Sequence, residues 1–143
     1  MSRNLFFVLL IGLITLTSLS ACSSQQSADL SMMSINQMPV EVQSAPLTVQ
    51  AAYSFSAANP DIMQDIPCYC GCGDIGHTSN YDCYVSSVDE QGKITFDNHA
   101  LGCSICVDIT QDVMRMVRDG KSQADARAYI DETYSRYGTS NIP

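Results

Sequence analysis

Apolar and polar positions alternate in different ways along this chain, and each stretch predicts a different element. Leu5 to Leu16 is an almost unbroken apolar run preceded by one charge, Arg3. It is shorter than the about 20 apolar residues that a membrane-spanning helix needs. A charged start followed by a short apolar core is the layout of a secretory signal. Residues 23–52 carry no period. Ser, Gln, Ala and Met dominate there, Pro39 and Pro46 interrupt, and no aromatic residue precedes Tyr53 in this stretch. That composition buries too little apolar surface to offset its ordering entropy, so it predicts a flexible tether. From Tyr53 onward the pattern is that of a folded domain. Asn59-Pro60-Asp61 is a helix start, with a capping Asn, a first-turn Pro and an acid at the positive end of the dipole, and Pro67 stops that helix. Residues 68–82 are rich in Cys and Gly and should be irregular. Tyr84–Val88 and Ile94–Phe96 flank Asp89-Glu90-Gln91-Gly92, which reads as a short hairpin. Then Ile105, Ile109, Val113, Met116 and Val117 recur at three and four residues, predicting a helix over 104–119 that Gly120 ends. Ser122 and Asp125 form a capping box for a helix over 122–137 that Gly138 closes, with Ala126, Tyr129, Ile130, Thr133 and Tyr134 inward. The expected fold class is mainly α (small α+β): short helices plus one β-hairpin around a Cys-rich site.

The cleavage region changes the picture of the N-terminus. Leu19-Ser20-Ala21-Cys22 resembles a bacterial lipobox, in which the cysteine becomes the lipidated first residue of the mature protein. The expected organisation is a lipoprotein signal peptide over 1–21, lipidated Cys22 with a tether over 22–52, and a Cys-rich soft-metal-binding domain over 53–143. Lipid chains then hold the protein to a bacterial membrane on its extracytoplasmic side, with no amphipathic helix required.

Composition narrows the functions. The chain has 143 residues, 7 Lys plus Arg against 15 Asp plus Glu, and a net charge of -8. It contains no basic run to displace phosphate counterions, so nucleic acid is excluded as a partner. The acids are dispersed and offer no hard-cation cage. No Ser–His–Asp set, phosphate loop or paired-carboxylate spacing appears, and the chain is not expected to be an enzyme.

Cysteine carries the remaining signal. Beyond Cys22, six occur as Cys68-Tyr-Cys70-Gly-Cys72, then Cys83, then Cys103-Ser-Ile-Cys106. In extended backbone residues i, i+2 and i+4 face one side, so Cys68, Cys70 and Cys72 can present three sulfurs together, with Gly71 free to curl the chain. Cys103 and Cys106 share the first turn of the predicted helix, whose unpaired N–H groups favour thiolate. Tyr69, Tyr81 and Tyr84 are placed to pack around the sulfurs. Pro67-Cys68-Tyr69-Cys70-Gly71-Cys72 resembles the signature of the bacterial PCYCGC-motif lipoprotein family, and the likeness continues through Gly73, Gly76-His77, Asp82-Cys83, His99-Ala100, Gly102-Cys103, Cys106-Val107-Asp108-Ile109 and Gly120-Lys121-Ser122. The resemblance implies an exported lipoprotein and leaves the activity to be argued from the residues.

Val107 follows Cys106 where a c-type haem needs His. An Fe–S cluster is inserted before export, which the Ser2-Arg3-Asn4 start, lacking twin Arg, does not suit. Zinc wants four ligands from the cysteines and His77 or His99, and six sulfurs exceed one such site. Bridging thiolates around Cu(I) accommodate all six. The expectation is therefore Cu(I) first and Zn second. Cys68, Cys70, Cys72, Cys103 and Cys106 are the principal ligands, Cys83 comes next, His99 third and His77 last. The role is storage, detoxification or delivery, the last with a metal donor or acceptor protein of unknown identity. Two alternatives stand beside it. One is a disulfide-stapled structural or interaction domain, the ordinary use of an even cysteine count in an exported chain. The other is a thiol-disulfide oxidoreductase using Cys103-x-x-Cys106, although the strand–helix–strand context of such enzymes is missing.

Overall fold

The structure is a computed structural model describing residues 29–142, so the signal peptide expected over 1–21 and the expected lipidation site Cys22 lie outside the described residues. Its elements are α1 (Val40–Gln43), α2 (Leu47–Ala58), α3 (Pro60–Met63), β1 (Val85–Val88), β2 (Ile94–Phe96), α4 (His99–Gly102), α5 (Ser104–Arg118) and α6 (Gln123–Tyr134). Single 3-10 turns lie at Ile35–Gln37, Cys72–Ile75 and Tyr81–Cys83. The mainly helical class with one hairpin is the one read from the sequence. The strands pair antiparallel, Val85 opposite Phe96 and Val88 opposite Ile94, with a bulge between Val85 and Ser87.

α5 organises the core. It buries Cys106, Ile109, Thr110 and Val113, a stripe at i, i+3, i+4 and i+7, with Val107 and Met114 beside it. Ile105, Met116 and Val117 are only half-buried, so the inward face is turned from the one that apolar residues alone suggest. The reason is Thr110. Its hydroxyl lies 2.7 Å from the Tyr84 hydroxyl and donates to Asn80 Oδ1 at 2.8 Å, which satisfies a buried polar group in the middle of the face. α2 packs along one side of α5 and α6 along the other. Tyr53 of α2 meets Tyr84 edge to face with ring centroids 4.9 Å apart, and its hydroxyl donates to the Asp97 carbonyl at 2.7 Å.

The boundary drawn at residue 53 is corrected by these contacts. It falls inside α2, and packed structure begins well before it. Met38 and Val42 are buried against the core, and Met33 is laced to Ser54 through its own N–H (2.9 Å) and through the Ser54 hydroxyl. Pro39 and Pro46 stand at the N-caps of α1 and α2, so they open helices where the composition suggested interruptions. The low-complexity appearance concealed a sparse set of apolar residues, Met38, Val42 and Ala52, that all point inward.

α6 starts as expected, with Ser122 accepting from the Asp125 N–H and Asp125 accepting from the Ser122 N–H. It ends at Tyr134, short of the expected residue 137. Beyond it the backbone turns to cross the Cys motif, and at Gly138 it passes so close to Tyr69 that an added Cβ would lie 2.7 Å from the Tyr69 carbonyl oxygen. Tyr129, expected inside, is exposed and lies under the Arg115 guanidinium. No helix among the described residues is long and apolar enough to cross a membrane.

Candidate metal centre

Three pieces of backbone deliver the cysteines to one place. Pro67 leads into an irregular strand that carries Cys68 and Cys70. Gly71, at φ +87°, then reverses the chain into the Cys72–Ile75 turn, a conformation that costs Gly little and a residue with a Cβ more. The turn at Tyr81–Cys83 brings Cys83 in from the opposite side. Cys103 is the N-cap of α5, and Cys106 lies one turn in. The extended reading of residues 68–72 is thereby modified: the curl at Gly71 separates the motif's sulfurs into two groups.

Cys70, Cys103 and Cys106 with His99 make the first group, and Cys68, Cys72 and Cys83 the second, the ligand atoms of each lying within 4.8 Å of one another. Cys106 Sγ is 3.1 Å from Cys103 Sγ, 3.5 Å from Cys70 Sγ and 3.4 Å from Cys68 Sγ, so it belongs to one group and touches the other. Cys68 and Cys70 sulfurs are 3.4 Å apart, and Cys72 and Cys83 sulfurs 3.7 Å. His99 Nε2 lies 3.4 Å from Cys70 Sγ. No disulfide joins any of these six cysteines. The chain therefore assembles all six cysteine sulfurs outside Cys22 and one imidazole into a single set of soft donors able to hold a metal ion.

Cys83, ranked behind five others from the sequence, is as deeply placed as any: Cys68, Cys83 and Cys106 are fully buried. His77 makes no sulfur contact. Its ring packs edge-on against His99 at 5.2 Å between centroids, and its Nε2 lies 3.8 Å from Asp97 Oδ2. The other oxygen of Asp97 accepts the His99 backbone N–H at 2.7 Å, so one carboxylate links the His77 ring to the His99 backbone. Tyr69, Tyr81 and Tyr84 are buried, as expected of packing residues. Tyr84 goes further, its hydroxyl donating to the Cys106 carbonyl at 2.8 Å.

Crowding divides the protons unequally among the thiols. Cys103 is lowered to about 5, chiefly because Cys106 donates to it. Cys106 is raised in consequence, by giving its S–H to Cys103 and Cys68. Cys68 is lowered by S–H donation from Cys106 and then Cys72. Cys72 is raised by the same bond to Cys68, and Cys70 is pushed up to about 12 by burial and by the neighbouring Cys68 thiolate. The thiols that accept S–H bonds are thus lowered and those that donate them are raised. A bound metal replaces the shared protons, so loading releases them and affinity falls as pH falls.

A model of a protein family matches residues 11–141, under the description "Protein of unknown function with PCYCGC motif". The chain belongs to the PCYCGC-motif family. No curated protein and no solved structure matches it. In this member of the family the motif's three cysteines serve both sulfur groups, Cys70 the first, Cys72 the second, with Cys68 in contact with each.

One participant carried no signal in the sequence. Asn141, in the polar run Thr139-Ser140-Asn141, accepts the Cys68 N–H at 2.7 Å through Oδ1 and donates its own backbone N–H to the Cys68 carbonyl at 3.2 Å. Its Nδ2 donates to the His77 carbonyl at 3.2 Å and points at Cys72 Sγ at 3.6 Å. A polar residue in such a run reads as solvated. Only the close pass at Gly138 brings it to the motif.

Proposed function

We propose that this protein is an extracytoplasmic, membrane-anchored soft-metal-binding protein whose six thiolates hold Cu(I) as one multinuclear cluster, for storage, detoxification or delivery. The supporting observation is the continuity of the sulfurs, contact to contact, from Cys103 through Cys106 and Cys68 into the buried Cys72–Cys83 pair. Thiolate sulfur selects soft ions, and no carboxylate lies among the grouped ligands to favour a hard one. Purified reduced protein titrated with Cu(I) and weighed by native mass spectrometry is expected to take up several ions together, with the apo and fully loaded species dominating. Binding of a single ion, or of none, is the contrary result.

A second reading rests on a specific feature. Cys70, Cys103, Cys106 and His99 are a three-sulfur, one-nitrogen set, a composition that suits tetrahedral zinc. One Zn(II) retained against excess Cu(I) in the same titration would favour it.

Anchoring belongs to the proposal as well. Its support is the lipobox-like Leu19-Ser20-Ala21-Cys22 following the apolar run. Cys22→Ala is expected to shift the protein from the membrane fraction to the soluble extracytoplasmic fraction, or to leave it as uncleaved precursor. A processed protein that fractionates as the parent does would remove the anchor from the proposal.

A further inference from the structure

The two sulfur groups differ in access to solvent. Cys68, Cys72 and Cys83 are all buried, whereas Cys70, His99 and Cys103 are half-exposed and only Cys106 in their group is buried. Beside Cys103 a cleft of about 290 Å³ opens to the surface between the start of α2 and the start of α5. Thr48 and Val49 of α2 line it together with Leu101, Cys103, Val107 and Asp108. Cys103 Sγ is 3.1 Å from Cys106 Sγ, and Cys106 Sγ is 3.4 Å from Cys68 Sγ. The sulfurs thus form a file from solvent to interior.

From this we infer that the outer group is an exchange port for thiolate-bound soft metal ions and the inner group a retaining site, with Cys103 receiving the ion and Cys106 and Cys68 passing it inward. The inference rests on the reading of the site as a metal centre. The step is a ligand exchange. As the metal–Cys103 sulfur bond forms, the bond to the carrier's thiolate breaks and the carrier sulfur departs as thiolate; when the ion then binds Cys106, the S–H proton that Cys106 had donated to Cys103 is released to solvent, where the departed carrier sulfur can take it up. The metal keeps its oxidation state, so no electron donor or acceptor is needed. Each further transfer replaces one sulfur by the next at a separation of 3.1–3.5 Å without the ion entering water. The cleft admits a small thiol to Cys103, while burial keeps the same carrier from Cys72 and Cys83.

The test loads the protein from a Cu(I)–glutathione complex, then challenges it with excess glutathione and follows release by rapid-quench mass measurement. The expected course has a fast phase for the outer group and a slow one for the inner. Cys103→Ser should slow the fast phase by about tenfold or more, at least the effect of losing a supporting group at a metal site. Cys83→Ser should diminish the slow phase and spare the fast one. Thr48→Trp narrows the cleft without replacing a ligand, because Thr48 is exposed and the bond it accepts from Gln111 Nε2 uses the backbone carbonyl. It should slow the fast phase at unchanged copper stoichiometry, and a thermal melt verifies that each variant is folded. Full copper uptake with one release phase, or a fast phase indifferent to both Cys103→Ser and Thr48→Trp, overturns the port and leaves the metal centre standing. Failure of the parent to bind copper overturns both.

Discussion

Cys106→Ser is expected to convert cooperative Cu(I) loading into weak, independent binding, with affinity lower by at least the 10- to about 100-fold seen when only a supporting residue of a metal site is lost. Cys106 Sγ touches three other sulfurs, those of Cys103, Cys70 and Cys68. Cys83 Sγ, by contrast, lies 3.7 Å from Cys72 Sγ and is grouped with Cys68 and Cys72. A bridging thiolate holds two ions at once, so its removal costs both groups a ligand and severs the contact through which they act as one. A Ser hydroxyl at the same position is too hard and too weakly acidic to bridge soft ions. Cys83→Ser should lower the capacity of the inner group and leave the outer intact. Native mass titrations of the two variants check this: partly loaded species accumulate in Cys106→Ser, while Cys83→Ser still fills its outer group in one step. Equal behaviour of the two would mean that the sulfurs do not share ions. Buried Ser carries a cost of about 1–3 kcal/mol where its hydroxyl lacks a partner, so unfolding of each apo variant is measured alongside.

The parts of the fold that the sequence displayed are those where one interaction type dominates. Helix α5 was legible because apolar residues recur at helical spacing, α6 because Ser122 and Asp125 satisfy each other's N–H groups, and the hairpin because two β-rich stretches flank Asp89-Glu90-Gln91-Gly92. The N-terminal helices were hidden for a physical reason. α2 is buried on most of its inner length by small residues, Ala52, Ser54, Ser56 and Ala57, that carry little hydrophobic signal. Ser54 is covered by the segment at Met33, and Tyr53 and Phe55 supply the bulk.

The enlarged core also revises what the metal has to do for stability. With residues 53–143 alone, a domain of this size would lean on staples or a metal. With Met38, Val42 and α2 added, Tyr53, Phe55, Met63, Tyr84, Ile109, Val113 and Ile130 are all fully buried. None of those side chains is a metal ligand, although Tyr84 reaches the Cys106 carbonyl. Cys68, Cys72, Cys83 and Cys106 are part of that core, and the large side chains beside them supply apolar burial of their own.

Within the site, proximity of the three Cys segments followed from chemistry, since sulfurs that share an ion must meet. The division into two groups did not, because it depends on the reversal at Gly71 and on which side Cys83 enters. Alternation of Cys with other residues announces a common face only while the backbone stays extended.

Asn141 separates the architecture of the site from its electrostatics, and two substitutions should show it. Asn141→Ala removes the acceptor for the buried Cys68 N–H, the donor to the His77 carbonyl and the N–H aimed at Cys72 Sγ. A stranded buried N–H costs about 1–3 kcal/mol, so the reduced apo protein should lose about that much stability in urea unfolding. Asn141→Asp keeps an oxygen for Cys68 N–H and is expected to lose less. Its carboxylate, however, cannot donate to Cys72 and sets a negative charge against a thiolate-rich cluster, which opposes charge accumulation there. Copper affinity, read by competition with a chromogenic chelator, should therefore fall further in Asn141→Asp than in Asn141→Ala. The two variants thus rank oppositely in stability and in affinity. The same rank in both measurements would assign Asn141 to the fold alone, as a clasp that holds the chain beyond Gly138 onto the Cys68 backbone without acting on its sulfurs.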